Sequence, residues 1–213
     1  MGTVVRFFQD GGAFMYPILF VFAFGVAIAI ERWMYLTFSG ASNRALWKKI
    51  VPILKAGNFQ EAAQHTAKSK AAIGSILTYG LYRVKSARRR DDIEKAMEES
   101  MMEVLPRLEK RTHYLATLAN IATLLGLLGT IIGLIRAFTA VSNANPADKA
   151  DLLSASISVA MNTTAFGLMV AIPLLLVHAL LQTKTNQLVD SLEMASVKFL
   201  NAVTERQLKS AGA

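Results

Sequence analysis

The stretch that decides the fold is YLATLANIATLLGLLGTIIGLI, residues 114–135, which contains 22 residues without Asp, Glu, Lys or Arg. A helix that crosses the hydrocarbon core of a bilayer needs about 20 predominantly apolar residues. Two further uncharged runs lie on either side of it, 18 residues at 13–30 and 25 residues at 157–181. The three runs predict three transmembrane helices in an all-α membrane protein.

The charged residues are concentrated between these runs. Apolar residues make up 53% of the chain and charged residues 18%, against about 25% charged in soluble domains. The first run is followed by Glu31, Arg32 and Trp33. A small-residue cleavage site would be expected there in a signal peptide, so this run is predicted to be an uncleaved anchor.

The basic residues predict the orientation of the chain. Of 23 Lys and Arg, 16 lie between Arg32 and Arg111. Because basic residues near the ends of spans favour the cytoplasmic side, we expect residues 31–113 and the C-terminus to be cytoplasmic. The predicted order is a periplasmic N-terminal segment 1–12, spans 13–30, 114–135 and 157–181, a cytoplasmic domain 31–113, a periplasmic loop 136–156 and a cytoplasmic tail 182–213.

The cytoplasmic parts are predicted to be helical extensions of the spans. Helices are expected at 41–55, 59–70 and 71–85, separated by turn residues. A long helix with Asp91 as its N-cap is expected to run to Phe138, with a kink at Pro106. Residues 180–208 are expected to continue the third span as one helix.

Several function classes are disfavoured by what the sequence lacks. The net charge of +8 comes without an RNA-binding signature or zinc-ligand spacing, so no nucleic-acid partner is expected. The chain has no cysteine, and its three histidines show no metal-ligand spacing. No nucleophile–base pair is evident, so the chain is not expected to be an enzyme.

Small residues in the second span predict close helix packing. Gly126, Gly129 and Gly133 fall on one face of a helix. In lipid, small residues allow two helix backbones to approach each other. We predict that this face, together with the third span, supports oligomerisation.

Polar residues inside the spans predict either helix association or an ion path. Asn and Thr side chains inside a membrane need partners, and both roles remain open from the residues alone. Counted from the periplasmic ends of their spans, Thr130 and Thr164 are about 8 and 10 Å deep, so they are expected at one level. The candidate ion-pathway residues are Thr130, Thr164, Thr123, Asn162, Thr163 and Ser158.

The three predicted spans contain no Asp or Glu. His178, near the end of the third span, is the only histidine within them. A proton channel needs a group that holds and releases a proton. Either the chain is not a channel or a partner supplies the carboxylate.

Three segments resemble one membrane family in order along the chain. They are GGAFMYPILFVFAFGVAIAIERWMYL at 11–36, LANIATLLGLLGTIIGLIRAF at 118–138 and TTAFGLMVAIP at 163–173. Together they resemble the ExbB/TolQ/MotA proton-channel family, and three spans with a Gly-Gly…Tyr-Pro start are most similar to ExbB.

The resemblance implies an ion-motive stator subunit of the bacterial inner membrane. It implies a homopentamer around the single spans of an ExbD/TolR-type partner, whose Asp would bind the proton. Thr130 and Thr164 correspond to threonines that line the path in the family. A TonB-type protein, energised for TonB-dependent uptake or a related envelope process, is a further implied partner.

Two positions depart from the family pattern. Val159 stands where ExbB and TolQ usually carry a Glu, and Thr123 stands where many members have a Pro. No cofactor is expected; H⁺ is the favoured ion by resemblance, and Na⁺ stays open because neutral oxygens bind it without titration. The alternative function is a structural membrane scaffold without ion conduction.

One charge at the periplasmic end of the second span also predicts a contact. Arg136 is a basic residue on the side that is predicted to be periplasmic, where basic residues are disfavoured. We therefore expect it to form a weak ion pair with Asp148 or Asp151 across the loop.

Overall fold

The computed structural model describes residues 7–8, 11–84, 89–143 and 145–211, and every regular element bounded in these ranges is an α-helix. The predicted all-α class is therefore confirmed. Most of the predicted segment 1–12 lies outside the described residues. The helices are α1 (Met15–Ala56), α2 (Phe59–Ala67), α3 (Ala72–Val84), α4 (Arg90–Glu109), α5 (Thr112–Asn143) and α6 (Lys149–Ala211).

Three of these helices, α1, α5 and α6, are long and apolar enough to cross a membrane. They contain nearly all of the three uncharged runs, and this confirms three transmembrane helices. Large apolar side chains on them are exposed, such as Phe20 (75%), Leu124 (62%) and Leu176 (62%). Apolar exposure on this scale is expected where lipid or another membrane helix is the neighbour.

The chain divides into two compact units, of which the first comprises residues 1–31 and 111–181. Its buried positions are rich in small side chains, because membrane helices gain van der Waals contact by close approach. Those at most 3% exposed include Ala119, Ala122, Ala160 and Ala171.

The second unit comprises residues 32–110 and 182–213 and is built around a hydrophobic core. Ile50, Ile76, Leu77 and Phe199 are fully buried in that core. The predicted continuation of the third span is confirmed, because α6 is one helix of 63 residues.

The turn before α2 lies where the sequence predicts one. Gly57 has φ +76°, a conformation that glycine adopts without a Cβ penalty. The Asn58 side chain accepts a hydrogen bond from the Glu61 N–H at 3.3 Å and so caps the helix.

The start of α4 differs slightly from the prediction. The helix begins at Arg90 with Arg89 as its N-cap residue, so the prediction of Asp91 as N-cap is wrong. Asp92 is the acid that acts at this end, since its carboxylate accepts the Arg89 N–H at 3.4 Å.

The predicted long helix from 91 to 138 is also wrong, because it is broken between α4 and α5. Pro106 lies inside α4, and the break follows at Lys110 and Arg111. Arg111 has φ +66°, a left-handed conformation that costs a non-glycine residue about 1–2 kcal/mol. Its guanidinium lies 3.4 Å from the Glu31 carboxylate, with both side chains about half exposed.

Replacement of Arg111 with glycine is expected to stabilise the protein relative to Arg111→Ala by about 1 kcal/mol. Both changes remove the exposed ion pair, which contributes little. Only glycine also relieves the left-handed backbone. Thermal melting of the two purified variants in one detergent measures the difference, and equal melting temperatures would mean that residue 111 is not left-handed.

Candidate functional site

The hydroxyls of Thr130 on α5 and Thr164 on α6 are in hydrogen-bond contact within the first unit. Both side chains are only partly buried. The contact agrees with the predicted common depth of the two residues.

Two backbone carbonyls complete this arrangement. The Gly126 carbonyl oxygen accepts from Thr130 at 3.2 Å and from Thr164 at 3.0 Å. Thr130 also lies 3.2 Å from the Ala160 carbonyl oxygen. We call these two hydroxyls and two carbonyls the hydroxyl–carbonyl cluster. Because the hydroxyls bond across the helix pair, neither threonine serves only its own helix.

Glycine packing brings the two helices close enough to form the cluster. A Cβ built on Gly126 would lie 3.3 Å from the Gly167 Cα, and one on Gly167 would lie 2.7 Å from the Ala122 carbonyl oxygen. Gly133 faces Ala160 in the same way, with 2.8 Å between the built Cβ and the alanine Cβ. The face that was predicted to support oligomerisation therefore packs within one chain.

Thr163 is adjacent in sequence to the cluster but takes different partners. Its side chain is 2% exposed, and its hydroxyl lies 2.7 Å from the Gly11 carbonyl and 3.0 Å from the Val159 carbonyl. Its methyl group packs on Gly129, where no Cβ intervenes. These contacts tie the N-terminal turn to α6.

The other three predicted pathway residues lie apart from the cluster's hydrogen bonds. Thr123 is exposed, and its hydroxyl donates to the Ala119 carbonyl of its own helix at 3.1 Å. Ser158 is exposed and Asn162 is partly buried. In a single chain Thr123 and Ser158 are therefore exposed on the surface of their helices, whereas Asn162 is only partly exposed.

The predicted ion pair of Arg136 is wrong. The ion pairs among the described residues are His65 with Glu61 and Arg111 with Glu31. Since α5 runs seven residues beyond Arg136, about 10 Å, the loop acids are carried away from it. Arg136 instead lines a cavity of about 140 Å³ together with Val159 and Thr163.

The cluster consists of neutral oxygens, and this limits its chemistry. Hydroxyls and amide carbonyls do not hold and release a proton near neutral pH. Both kinds of oxygen can orient their dipoles toward a cation, and the two hydroxyls can also donate to a carboxylate that a neighbouring helix brings to them. No group of three or more His, Cys, Asp or Glu suited to a metal occurs in the described ranges.

Gly167 is a residue of this site that sequence reasoning missed. The signal was present, because Ala160, Thr164, Gly167 and Ala171 follow one another at spacings of four, three and four. Such spacing places small residues on one helix face.

Comparison with known proteins identifies the relatives of this chain. A model of the MotA/TolQ/ExbB proton channel family matches residues 68–194. The chain is also 29% identical over 195 residues to the putative biopolymer transport protein ExbB homolog of Methanothermobacter thermautotrophicus strain Delta H. That alignment covers 91% of this chain and 68% of the relative.

Proposed function

The chain belongs to the MotA/TolQ/ExbB proton channel family, and on that premise we propose that it is an ExbB-type subunit of an ion-driven stator. It is a multi-pass membrane protein of a channel family rather than an enzyme family. The proposed work is to energise TonB-dependent uptake or a related process of the cell envelope.

The observation that carries this proposal is the hydroxyl–carbonyl cluster between α5 and α6. The four neutral oxygens of the cluster all belong to the uncharged runs of α5 and α6. A charged Asp at the centre of a bilayer costs about 2.5–3.5 kcal/mol on insertion scales. Neutral donors and acceptors lower that cost without adding a charge of their own.

The proposed assembly supplies what the chain lacks. Five copies would surround the single spans of an ExbD/TolR-type partner, and an Asp on that partner would bind the ion beside Thr130 and Thr164. A TonB-type protein would receive the work. This division of labour fits the absence of Asp and Glu from the three uncharged runs.

Val159 bears on the nature of the ion. At the position of the family's usual Glu, the chain carries an apolar side chain beside a cavity lined by Arg136. A relay through that position is therefore no part of the proposal. We favour H⁺ carried on the partner's Asp, with Na⁺ bound by neutral oxygens as the second candidate.

Reconstitution tests the function and the ion together. The complex of this chain with its one-span partner is placed in vesicles loaded with a pH-sensitive or a Na⁺-sensitive dye. A membrane potential is expected to drive proton entry that is lost when the partner's Asp is changed to Asn. Entry of Na⁺ alone would reassign the ion, and no flux of either ion would favour the scaffold function.

The scaffold alternative has one observation in its favour. The Thr130, Thr163 and Thr164 hydroxyls all bond to backbone carbonyls of another segment. Such bonds also hold helices together in lipid. The two functions differ in what happens when the hydroxyls are removed without loss of assembly.

Orientation is a separate proposal with its own test. A cysteine at Asn145, in the loop between α5 and α6, is expected to react with an impermeant thiol reagent added to intact spheroplasts. A cysteine at Ala67, exposed at the end of α2, is expected to react only after the membrane is opened. The native chain has no cysteine to interfere, and the reverse pattern would place residues 31–113 in the periplasm.

A further inference from the structure

Two apolar areas lie open on the surface of the second unit, on either side of α4, although this unit already buries a hydrophobic core. On the side of α6, Met102 is 74% exposed and Val197 is 52% exposed. On the side of α3, Tyr79 is 46% exposed and Tyr82 is 63% exposed. Exposed apolar areas with polar residues around them often mark protein interfaces.

The first area belongs to a groove of about 520 Å³ between α4 and α6. The buried side chains of Met97 and Leu200 line it, together with Met101, Met102 and Val197. We call it the methionine groove. Methionine side chains adapt their shape to a partner and make favourable contacts with aromatic rings. The groove is therefore suited to receive an aromatic side chain.

The methionine groove is also acidic. The charged side chains that line it are all glutamates, namely Glu94, Glu98 and Glu193. None of them forms an ion pair with another residue of the described ranges. Since the whole chain has a net charge of +8, the groove is a local negative area on a basic protein. Electrostatic complementarity favours a partner surface that carries Lys or Arg.

The second area lies near the end of α3 and has the complementary chemistry. Tyr79 and Tyr82 are three residues apart and so share one face of the helix. The hollow beside them, of about 610 Å³, is lined by two basic and two acidic side chains, Arg83, Lys95, Asp92 and Glu99. Residues 83–90 add five basic residues without an acid. We call Tyr79, Tyr82, Arg83 and Lys95 the tyrosine edge.

The two surfaces point in different directions from one helix. At about 100° per residue, the α4 side chains that line the hollow and those that line the groove point about 140° apart. Both sets include residues between 94 and 99, so they overlap along α4. A copy that inserts its tyrosine edge into a neighbour therefore keeps its own groove free for a third copy.

Repeated contacts of this heterologous kind form either closed rings or open filaments. Every copy crosses the membrane with the same orientation, so successive copies rotate about the membrane normal, and this favours a ring. A ring of one chain covers both open apolar areas at once, which an unrelated partner bound in one of them would not do.

We propose that the methionine groove of one copy receives the tyrosine edge of a second copy of this chain. The proposal rests on the proposed homopentamer and adds a surface that joins its copies outside the uncharged runs. Tyr79 and Tyr82 would pack on Met102, and Arg83 and Lys95 would face the three glutamates of the groove. The ion pairs would select the partner surface and the apolar contacts would supply the affinity.

Cysteine cross-linking of the full complex in its membrane tests this interface, because the chain has no cysteine of its own. A chain with both Met102→Cys and Tyr82→Cys, treated with a short bismaleimide, is expected to give covalent products from dimers up to the closed ring. Neither single variant is expected to cross-link, since the contact joins two different surfaces. Met102→Cys with Ala67→Cys is the matched control, because Ala67 is exposed in the same unit and lines neither cavity.

A charge reversal tests the glutamates separately. In the double-cysteine chain, Glu98→Lys is expected to slow cross-linking about fivefold, because it places a positive charge opposite the tyrosine edge. Glu98 is exposed and has no ion pair among the described residues, so the fold should be unaffected. Glu205→Lys is the matched control, since Glu205 is exposed on α6 and lies outside the lining of the groove.

Several results would overturn the proposal. If the double-cysteine chain cross-links no faster than the Ala67 control while native mass spectrometry shows an intact oligomer, the copies meet elsewhere and the stator function still stands. Dimers formed by Met102→Cys alone would indicate a symmetric contact instead. Equal rates for Glu98→Lys and Glu205→Lys would also contradict the proposal. A chain that is monomeric in the complex would contradict both this interface and the proposed homopentamer.

Discussion

Replacement of Gly167 with alanine is expected to destabilise the packing of α5 against α6 and to reduce the amount of folded protein severely. The new Cβ would lie 2.7 Å from the Ala122 carbonyl oxygen and 3.1 Å from the Gly126 Cα. Both obstacles are backbone atoms, so the helices themselves must separate. Overpacking of this kind costs about 1–3 kcal/mol, and the separation would also pull Thr130 away from Thr164.

Gly25→Ala provides the matched control for this change. It adds the same methyl group to another transmembrane helix, again with a nearest atom at 2.7 Å. That atom belongs to the Leu174 side chain, which can rotate at small cost. We expect Gly25→Ala to melt within a few degrees of the wild type and Gly167→Ala to melt far below it. Equal melting would mean that Gly126 and Gly167 are not in backbone contact.

The sequence predicted the parts of the fold that depend on composition. Three uncharged runs identify three transmembrane helices, because a helix that crosses lipid must be apolar along nearly its whole length, whatever its position in the chain. The continuation of the third span into a 63-residue helix was also predictable, because neither proline nor glycine interrupts residues 174–210. These features follow from local properties of the chain.

The break at Arg111 could not be predicted for a physical reason. A left-handed residue after a helix is usually glycine, whereas here it is an arginine whose guanidinium lies 3.4 Å from the Glu31 carboxylate. The sequence did favour a disturbance nearby, at Pro106, but the helix continues three residues past it.

The candidate site was predicted in part. Counting residues from the span ends placed Thr130 and Thr164 at one depth, and their hydroxyls meet. The count could not show that both would share the Gly126 carbonyl, because that contact depends on Gly167 in the facing helix. The predicted ion pair of Arg136 is wrong because it assumed that the loop begins where the second span ends. Instead, α5 continues for seven residues beyond Arg136.

Removal of the two hydroxyls is the second change with a large expected effect. Valine replaces the hydroxyl of threonine by a methyl group of similar size, so helix packing is nearly preserved. A hydrogen bond to a charged group contributes about 1.5–3 kcal/mol. If one such bond stabilises the partner's Asp while the ion passes, its loss predicts that ions enter the vesicles about 10–100 times more slowly with Thr164→Val or Thr130→Val. Serine keeps the hydroxyl and is expected to retain most of the rate.

Interhelical hydrogen bonds in membranes average only about 0.6 kcal/mol. Thr130→Val with Thr164→Val should therefore leave the assembly intact. If the assembly dissociates together with the loss of function, the hydroxyls hold helices together and the scaffold function is supported. An intact assembly that has lost ion-driven function supports the stator function.

The most direct measurement is the initial rate of ion entry into vesicles that contain equal amounts of assembled wild-type, Thr164→Ser or Thr164→Val complex with the one-span partner. If the hydroxyl–carbonyl cluster lies on the ion path, the serine complex conducts at close to the wild-type rate and the valine complex at least tenfold more slowly. A valine complex that conducts as fast as the wild type would contradict the proposal and place the path elsewhere.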